Sequence, residues 1–365
     1  MGAMDELLNP AAISGLAGSL STAAPDITFT ELRRASDHLD GLKLRSRTDL
    51  VTAALLADLP ADYRSVAAIF RSALQDSAFA GWPIWPVTET VTTLAVESPD
   101  PGAFEDGLSL LAELTPRLSS EFAIRRFLTA DLTRALTVIE TWTADPDETV
   151  RRLASEGTRS FLPWAIRVKQ LLDAPASTVP IIDALYRDSS EVVRRSVANH
   201  LNDLSRRQPE LTTRIAANWL ANSDENTKWV VRHATRTLIK KGYPPALALL
   251  GFAPARITVA GFALDTTTVT TPGDLGFEFT VTNSDTAPIT LAIDYAVDYR
   301  KNNGSSASKV FKLTTRTLAP AETVLISKRH NFRPMTTRVH YSGEHSIWLQ
   351  INGERYPGKS FDLQV

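Results

Sequence analysis

The sequence predicts a multidomain protein, all-α and then all-β: a HEAT-like α-solenoid followed by an immunoglobulin-like β-sandwich. Three observations predict it. Apolar residues recur at three- and four-residue spacing as far as about residue 252, and at every second residue beyond it. A helical phrase returns at intervals near 40 residues in the later part of the first half. At 365 residues the chain is long enough to bury two separate cores.

The helical half begins with TFTELRRASDHLDGLKLRSRTDLVTAALLADLP and DYRSVAAIFRSALQD, both carrying apolar residues on one helical face. GWPIWP at 81–86 reads as a rigid turn with two indoles, most simply a packing plug. Breaks are expected at SPDPGAFEDG and ADPDET, where Pro, Gly and Asp cluster. DPDETVRRLASEG starts at Asp145, DSSEVVRRSVANHLND starts 43 residues later at Asp188, and NTKWVVRHATRTLIKKG starts another 38 residues on at Asn226. Within the second of these, Val193, Val197, Leu201 and Leu204 form the stripe that a buried helix face needs. Beside it Arg195, Asn199 and Asp203 project together, four residues apart. The same ridge is Arg152, Glu156 and Ser160 one repeat earlier, and His233, Thr237 and Lys241 one repeat later. A solvated face would also be polar, but the recurring cation at the head of the ridge favours a binding surface.

After Gly251-Phe252 the period becomes two. ITVAGFALD, GFEFTVTNS, ITLAIDYAVDYR, KVFKLTTRTL, ETVLISKRHNF, GEHSIWLQING and KSFDLQV read as strands, separated by turn signals such as TPGD, NNGSS and NGER. Seven strands with no cysteine fit an immunoglobulin-like sandwich without a disulfide. The expected domains are 1–253, helical, and 254–365, β.

Composition narrows the chemistry. There are no cysteines, so thiolate catalysis and cysteine-built metal sites are excluded; six histidines without an HExxH pattern give no zinc signature. No apolar run approaches the ~20 residues that span a bilayer, and MGAMDELLNP lacks the character of a signal peptide, so a bacterial cytoplasmic location is expected. The net charge of −2 hides a gradient. Residues 1–115 hold 16 acids against 7 Lys/Arg, whereas residues 187–241 hold 11 Lys/Arg against 6 acids. Residues 300–338 hold 9 Lys/Arg against the single acid Glu322. Two basic regions favour a phosphate-bearing partner.

Taken singly, the polar residues have ordinary readings. Asp203 could pair with Arg206 or Arg207, Glu156 with Arg152 or Arg159, and Trp164 could be a core aromatic behind a proline. The combination of GWPIWPV, SSEFAIRRFL, VRRLASEGTRSFLPWA, VRRSVANHLNDLSRRQPEL and KWVVRHATRTLIKKG, however, resembles the AlkC family of bacterial DNA-alkylation-repair glycosylases, HEAT-like relatives of AlkD. The resemblance covers the whole helical half, and the β half resembles the immunoglobulin-like domain that some AlkC members carry. It implies removal of cationic N-alkylated bases, chiefly 3-methyladenine and 3-methylcytosine, from double-stranded DNA without a deep base-flipping pocket. It places the family's catalytic acids and aromatic on Glu121, Glu156, Asp203 and Trp164, with Asp203 expected to stabilise the sugar cation. The cations expected at the DNA backbone are Arg152, Arg159, Arg194, Arg195, Arg232 and Lys240, with Lys301 in the RKNNGSS turn and Arg329 in SKRHNFR reaching for a groove. No lysine stands out as a Schiff-base nucleophile, so a monofunctional enzyme is expected, with no metal or organic cofactor, no obligate protein partner and a monomeric state. The competing reading is a non-catalytic HEAT-repeat scaffold or damage-binding protein.

Overall fold

The computed structural model describes residues 4–334 and 339–365. Arg338, one of the basic groups counted above, lies outside the described residues. Sixteen α-helices and nine strands occur among the described residues. The first eight helices are α1 (Pro10–Ala23), α2 (Thr30–Ala35), α3 (Leu44–Asp58), α4 (Tyr63–Ala73), α5 (Ile84–Glu97), α6 (Ala103–Leu114), α7 (Ile124–Ala130) and α8 (Leu132–Thr141). They are followed by α9 (Glu148–Gly157), α10 (Lys169–Asp173), α11 (Val179–Leu185), α12 (Glu191–Leu204), α13 (Pro209–Ala221), α14 (Thr227–Ala234), α15 (Arg236–Lys240) and α16 (Pro244–Ala248).

Local chemistry sets many of these boundaries. The side chains of Asn9, Asp62, Asp131 and Asp147 accept backbone N–H bonds at the starts of α1, α4, α8 and α9, satisfying donors that a helix leaves open. Proline opens α1, α13 and α16, where no backbone N–H is needed. The two expected breaks fall between α5 and α6 and immediately before α9.

The chain forms two compact units: Met1–Gln208 with Trp219–Ala234, and Pro209–Asn218 with Thr235–Val365. In the first, α12 packs between α9 and α14, and α11 packs against both α9 and α12. The repeated phrases thus stack as neighbours, the arrangement of a HEAT-like solenoid. Val193, Val197 and Leu201 are fully buried, as their stripe requires. The third repeat departs from the expected ridge. The helix breaks at Thr235 (φ −93°, ψ 3°), so His233 lies in the last turn of α14 while Thr237 belongs to α15 and Lys241 follows it. With ψ near zero, Thr235 cannot carry the α-helical rise onward, and the polar face of the first two repeats is not continued on one helix.

In the second unit, β1 (Ile257–Leu264), β3 (Gly273–Asn283) and β6 (Thr323–Phe332) form one sheet in the order β1-β3-β6. The other sheet joins β2 (Thr268–Thr270), β9 (Lys359–Gln364), β7 (Gly343–Ile351), β4 (Ile289–Arg300) and β5 (Ser306–Leu318) in that order, with β8 (Glu354–Arg355) paired to β7. The seven runs read from the sequence are the seven long strands; β2 and β8 are additional short ones. Alternate residues build the core: Leu275, Phe277, Phe279 and Val281 of β3 meet Leu291, Ile293, Tyr295 and Val297 of β4 in one buried cluster. RKNNGSS is the β4–β5 turn, and Lys301 is exposed there. SKRHNFR is mostly strand, as its alternation predicts. His330 and Phe332 point into the core, while Lys328 and Arg329 are exposed on the strand.

Candidate active site

The site lies in the first unit, where α9 ends against α7. Gly157 makes the approach possible: a Cβ there would stand 2.2 Å from Ile124 Cδ1, a contact no other residue type could accept unmoved. The turn before α7 carries Glu121, and the last two turns of α9 carry Arg152 and Glu156. Arg152 Nη1 donates to Glu121 Oε2 at 2.8 Å and to Ser119 Oγ at 3.3 Å, and Ser119 Oγ donates to the same carboxylate oxygen at 3.0 Å. Arg152 Nη2 also lies 4.0 Å from Glu156 Oε1.

Glu156 is only 6% exposed, and both its oxygens are engaged. Arg159 Nη1 donates to Oε1, and Ser196 Oγ of α12 donates to Oε2 at 2.6 Å. The other edge of the Arg159 guanidinium reaches Asp203, with Nε to Oδ2 at 2.9 Å. Asp203 is 1% exposed, and Arg206 stands 3.8 Å from its Oδ1. One arginine therefore bridges two buried carboxylates that are distant in sequence. Burial pulls the Arg159 pKa down, but the charges and hydrogen bonds of Glu156 and Asp203 outweigh it and the net shift is upward.

Two buried bases hold this arrangement from behind. Arg125, fully buried, donates to the carbonyls of Ile166 (2.7 Å), Gly157 (2.9 Å) and Arg159 (2.9 Å), tying the loop after α9 to α7. Its pKa is pushed down to about 10, by burial first and then by the charges of Arg167 and Arg159. His200 of α12 lies 3.0 Å from the Ser155 carbonyl through Nδ1 and 3.0 Å from Thr178 Oγ1 through Nε2. Its pKa is pushed down to about 3 by burial first, then by Arg159.

A cleft of about 370 Å³ opens over these groups. Glu121, Arg152, Glu156 and Arg159 line its polar side; Trp82, Trp85 and Phe122 line its aromatic side together with Trp164. The rings of Trp85 and Phe122 lie 4.7 Å apart, and Trp85 Nε1 donates to Glu89 Oε1 at 3.1 Å. Trp164 is 73% exposed and has φ +63°, a left-handed backbone that costs a non-glycine residue on the order of 1 kcal/mol or more. Strain and a solvent-facing indole together are unlike a core aromatic. A larger hollow of about 630 Å³ lies on the sandwich beside Asp265 and Lys328, but it gathers no buried carboxylate, and the chemistry lies with the smaller cleft.

The structure thus brings Glu121, Glu156 and Trp164 to one cleft and sets Asp203 behind it, joined through Arg159. Arg159, expected at a phosphate, is 8% exposed and ion-paired on both edges. Arg194 is half-buried and donates to the carbonyls of Asp188 and Ser189; Arg195 is exposed and paired with Glu191. Arg232 is exposed on α14. In the second unit Lys240 and Lys301 are exposed, and Arg329 pairs with Asp265 at 3.0 Å. Sequence reasoning missed Ser196, Arg125, His200 and the cleft-facing role of Trp82. The first three act through contacts 22 or more residues away, which no local spacing signals. Among the described residues no three potential metal ligands cluster.

Known proteins resemble this chain along its whole length. The family described as DNA alkylation repair enzyme matches residues 118–238, the stretch that holds Glu121, Glu156, Trp164 and Asp203. The C-terminal Ig-like domain of the uncharacterised protein YhaZ matches residues 258–365. The chain is 32% identical to the uncharacterized protein YhaZ of Bacillus subtilis (strain 168), with 100% of both chains covered. The structure of the Pseudomonas fluorescens alkylpurine DNA glycosylase AlkC, bound to DNA containing an abasic site analog, matches with a TM-score of 0.85 and 33% identity over 100% of both chains. No helix among the described residues is long and apolar enough to cross a membrane. With its helical repeats and its C-terminal sandwich matched in one continuous chain, this protein belongs to the AlkC family of DNA alkylation repair proteins, in the form that carries an immunoglobulin-like domain.

Proposed function

We propose that this protein is a DNA glycosylase that releases cationic N-alkylated bases, chiefly 3-methyladenine and 3-methylcytosine, from duplex DNA. The observation that carries the reading is the cleft itself: Glu121 and Glu156 gathered against tryptophans, in a chain matched end to end by a glycosylase bound to abasic-analogue DNA.

An N3-alkylated adenine already carries a positive charge and leaves without protonation. No general acid is required; the developing oxocarbenium sugar and the incoming water are what need stabilising. A carboxylate ~4 Å from that cation, at an effective dielectric near 20, contributes about 4 kcal/mol. Acting on the transition state alone, this is roughly a thousandfold in rate. Glu156 and Glu121 are the carboxylates presented to the cleft, and Asp203 adds its charge from behind Arg159. Ser196 and Arg159 fix the Glu156 carboxylate before DNA arrives, so little reorganisation is left for the reaction. Trp164 and Trp82 offer π faces to the cationic base or sugar. A neutral base lacks the activated leaving group, which makes the chemistry selective without a tight pocket. The protein leaves an abasic site and works as a monomer, with DNA as its partner.

The reading is tested by incubating the folded protein with methylated duplex DNA, chromatographing the released bases and running the strands on a denaturing gel. Release of 3-methyladenine and 3-methylcytosine with intact abasic strands is expected. Release no faster than the spontaneous background would return the protein to the scaffold or damage-binding class.

A further inference from the structure

Phe161 lies in the loop between α9 and α10, just before the cleft-lining residues Leu162, Pro163 and Trp164. Two guanidinium groups stand over its ring: Arg167 at 4.9 Å from the centroid and Arg206 at 4.6 Å. Both arginines are exposed, and Phe161 between them is half-buried. Measured to one centroid, these distances hold the two cations within about 10 Å of each other, no more than a Debye length at ordinary salt, so solvent ions do not fully screen their repulsion.

Several other arginines of this unit answer their charge with acids: exposed Arg64 pairs with Asp100, half-buried Arg71 with Asp106 and Glu113, and half-buried Arg134 with Glu105. Arg167 has no acidic partner among the described residues, and its hydrogen bond goes to the Ser160 carbonyl at 3.3 Å. Arg206 comes no closer than 3.8 Å to Asp203, whose other oxygen Arg159 already holds at 2.9 Å. The aromatic ring is therefore what seats both side chains. It seats their planes while leaving N–H groups beyond the Arg167–Ser160 bond to be used, and planar donors held this way suit a tetrahedral oxyanion. Buried Arg125 also feels the Arg167 charge, which after burial is the largest cause of its lowered basicity.

We propose that Arg167 and Arg206, seated on Phe161, form a clamp for a DNA backbone phosphate beside the cleft. The proposal rests on the reading of this protein as one that acts on DNA, and it adds a binding site to that reading. Such a contact holds register without reading sequence, which suits a lesion that occurs in any context. Because Phe161 and Trp164 share one loop, phosphate binding at the clamp also fixes the backbone that carries the exposed indole.

The test measures the affinity of the full chain for a labelled duplex containing an abasic-site analogue, between about 50 and 200 mM salt. The double variant Arg167→Gln/Arg206→Gln is expected to reduce the slope of log K against log salt by about 0.9, the loss of one phosphate contact, and each single variant by part of that. Arg64→Gln, which removes an acid-paired arginine, should leave the slope unchanged. Phe161→Leu keeps both charges but removes their seat, so affinity falls severalfold with the slope retained. Melting temperatures of the arginine variants should match wild type, since both side chains are exposed. A wild-type slope in the double variant would overturn the clamp while leaving the DNA reading intact. Absence of salt-dependent binding by wild type would remove the DNA reading and the clamp with it.

Discussion

Arg159 bridges the buried carboxylates of Glu156 and Asp203, and breaking a buried pair from one side leaves the other charge stranded. Arg159→Ala strands two carboxylates and is expected to cost ~3–5 kcal/mol, read as a lower urea midpoint by circular dichroism. Asp203→Asn keeps an oxygen acceptor for Nε and leaves Arg159 paired with Glu156, so its cost is smaller, about 1–2 kcal/mol. An Arg159→Ala midpoint equal to wild type would mean that the triad contributes nothing to the fold. These residues also mark how far the sequence could be read. Glu156, Asp203 and Trp164 were legible from helical spacing and the family's phrases. The partner of Asp203 was not, because Arg206 and Arg207 are near in sequence whereas Arg159, 44 residues away, is near only in the fold. Placing Asp203 behind the cleft rather than in it needed that contact.

At the scale of elements, the approach of α7 to α9 sets the distance between Glu121 and Glu156. Gly157→Ala puts a methyl group 2.2 Å from Ile124 Cδ1, and Ile124 is fully buried, so its side chain or the helices must shift. Overpacking of this kind costs about 1–3 kcal/mol, and base release should fall further than the stability loss alone explains. Ile124→Val removes the clashing carbon, so the double variant Gly157→Ala/Ile124→Val should recover part of both. If the second change restores nothing, the two helices are not spaced by this contact. The alternation that revealed the seven long strands is a local signal and survived folding intact. The end of α14 at Thr235 left no such mark, since VVRHATRTLIKKG keeps helical spacing across the break. SKRHNFR reads as strand and as a candidate for reaching a groove, but charge alone does not show that Arg329 pairs with Asp265.

The whole molecule should answer pH in two opposite ways. His200 has its pKa pushed down to about 3 by burial, against 6.5 for an ordinary histidine. Between those values the unfolded chain takes up a proton that the folded helical unit refuses, so stability is lost as pH falls below about 6.5. Asp294 in the sandwich has its pKa pushed up to about 6 by burial, partly opposed by Lys312, against an ordinary 3.8. Here the folded form binds the proton first, so stability is lost as pH rises from about 4 to about 6. Asp294→Asn should therefore stabilise the sandwich at pH 7.5 by roughly 2 kcal/mol or less, read as a higher melting temperature, with the gain vanishing below about pH 4. A gain that persists at pH 3.5 would mean that packing, not charge, is responsible. The central claim concerns the carboxylates of the cleft, and one measurement addresses it most directly: single-turnover release of 3-methyladenine from saturating methylated duplex by wild type, Glu156→Gln and Asp203→Asn, each checked for folding. The account predicts release by wild type and a fall of two or more orders of magnitude in Glu156→Gln. Wild-type rates in both variants would contradict electrostatic catalysis by this cluster, and no release by folded wild type would contradict the glycosylase itself.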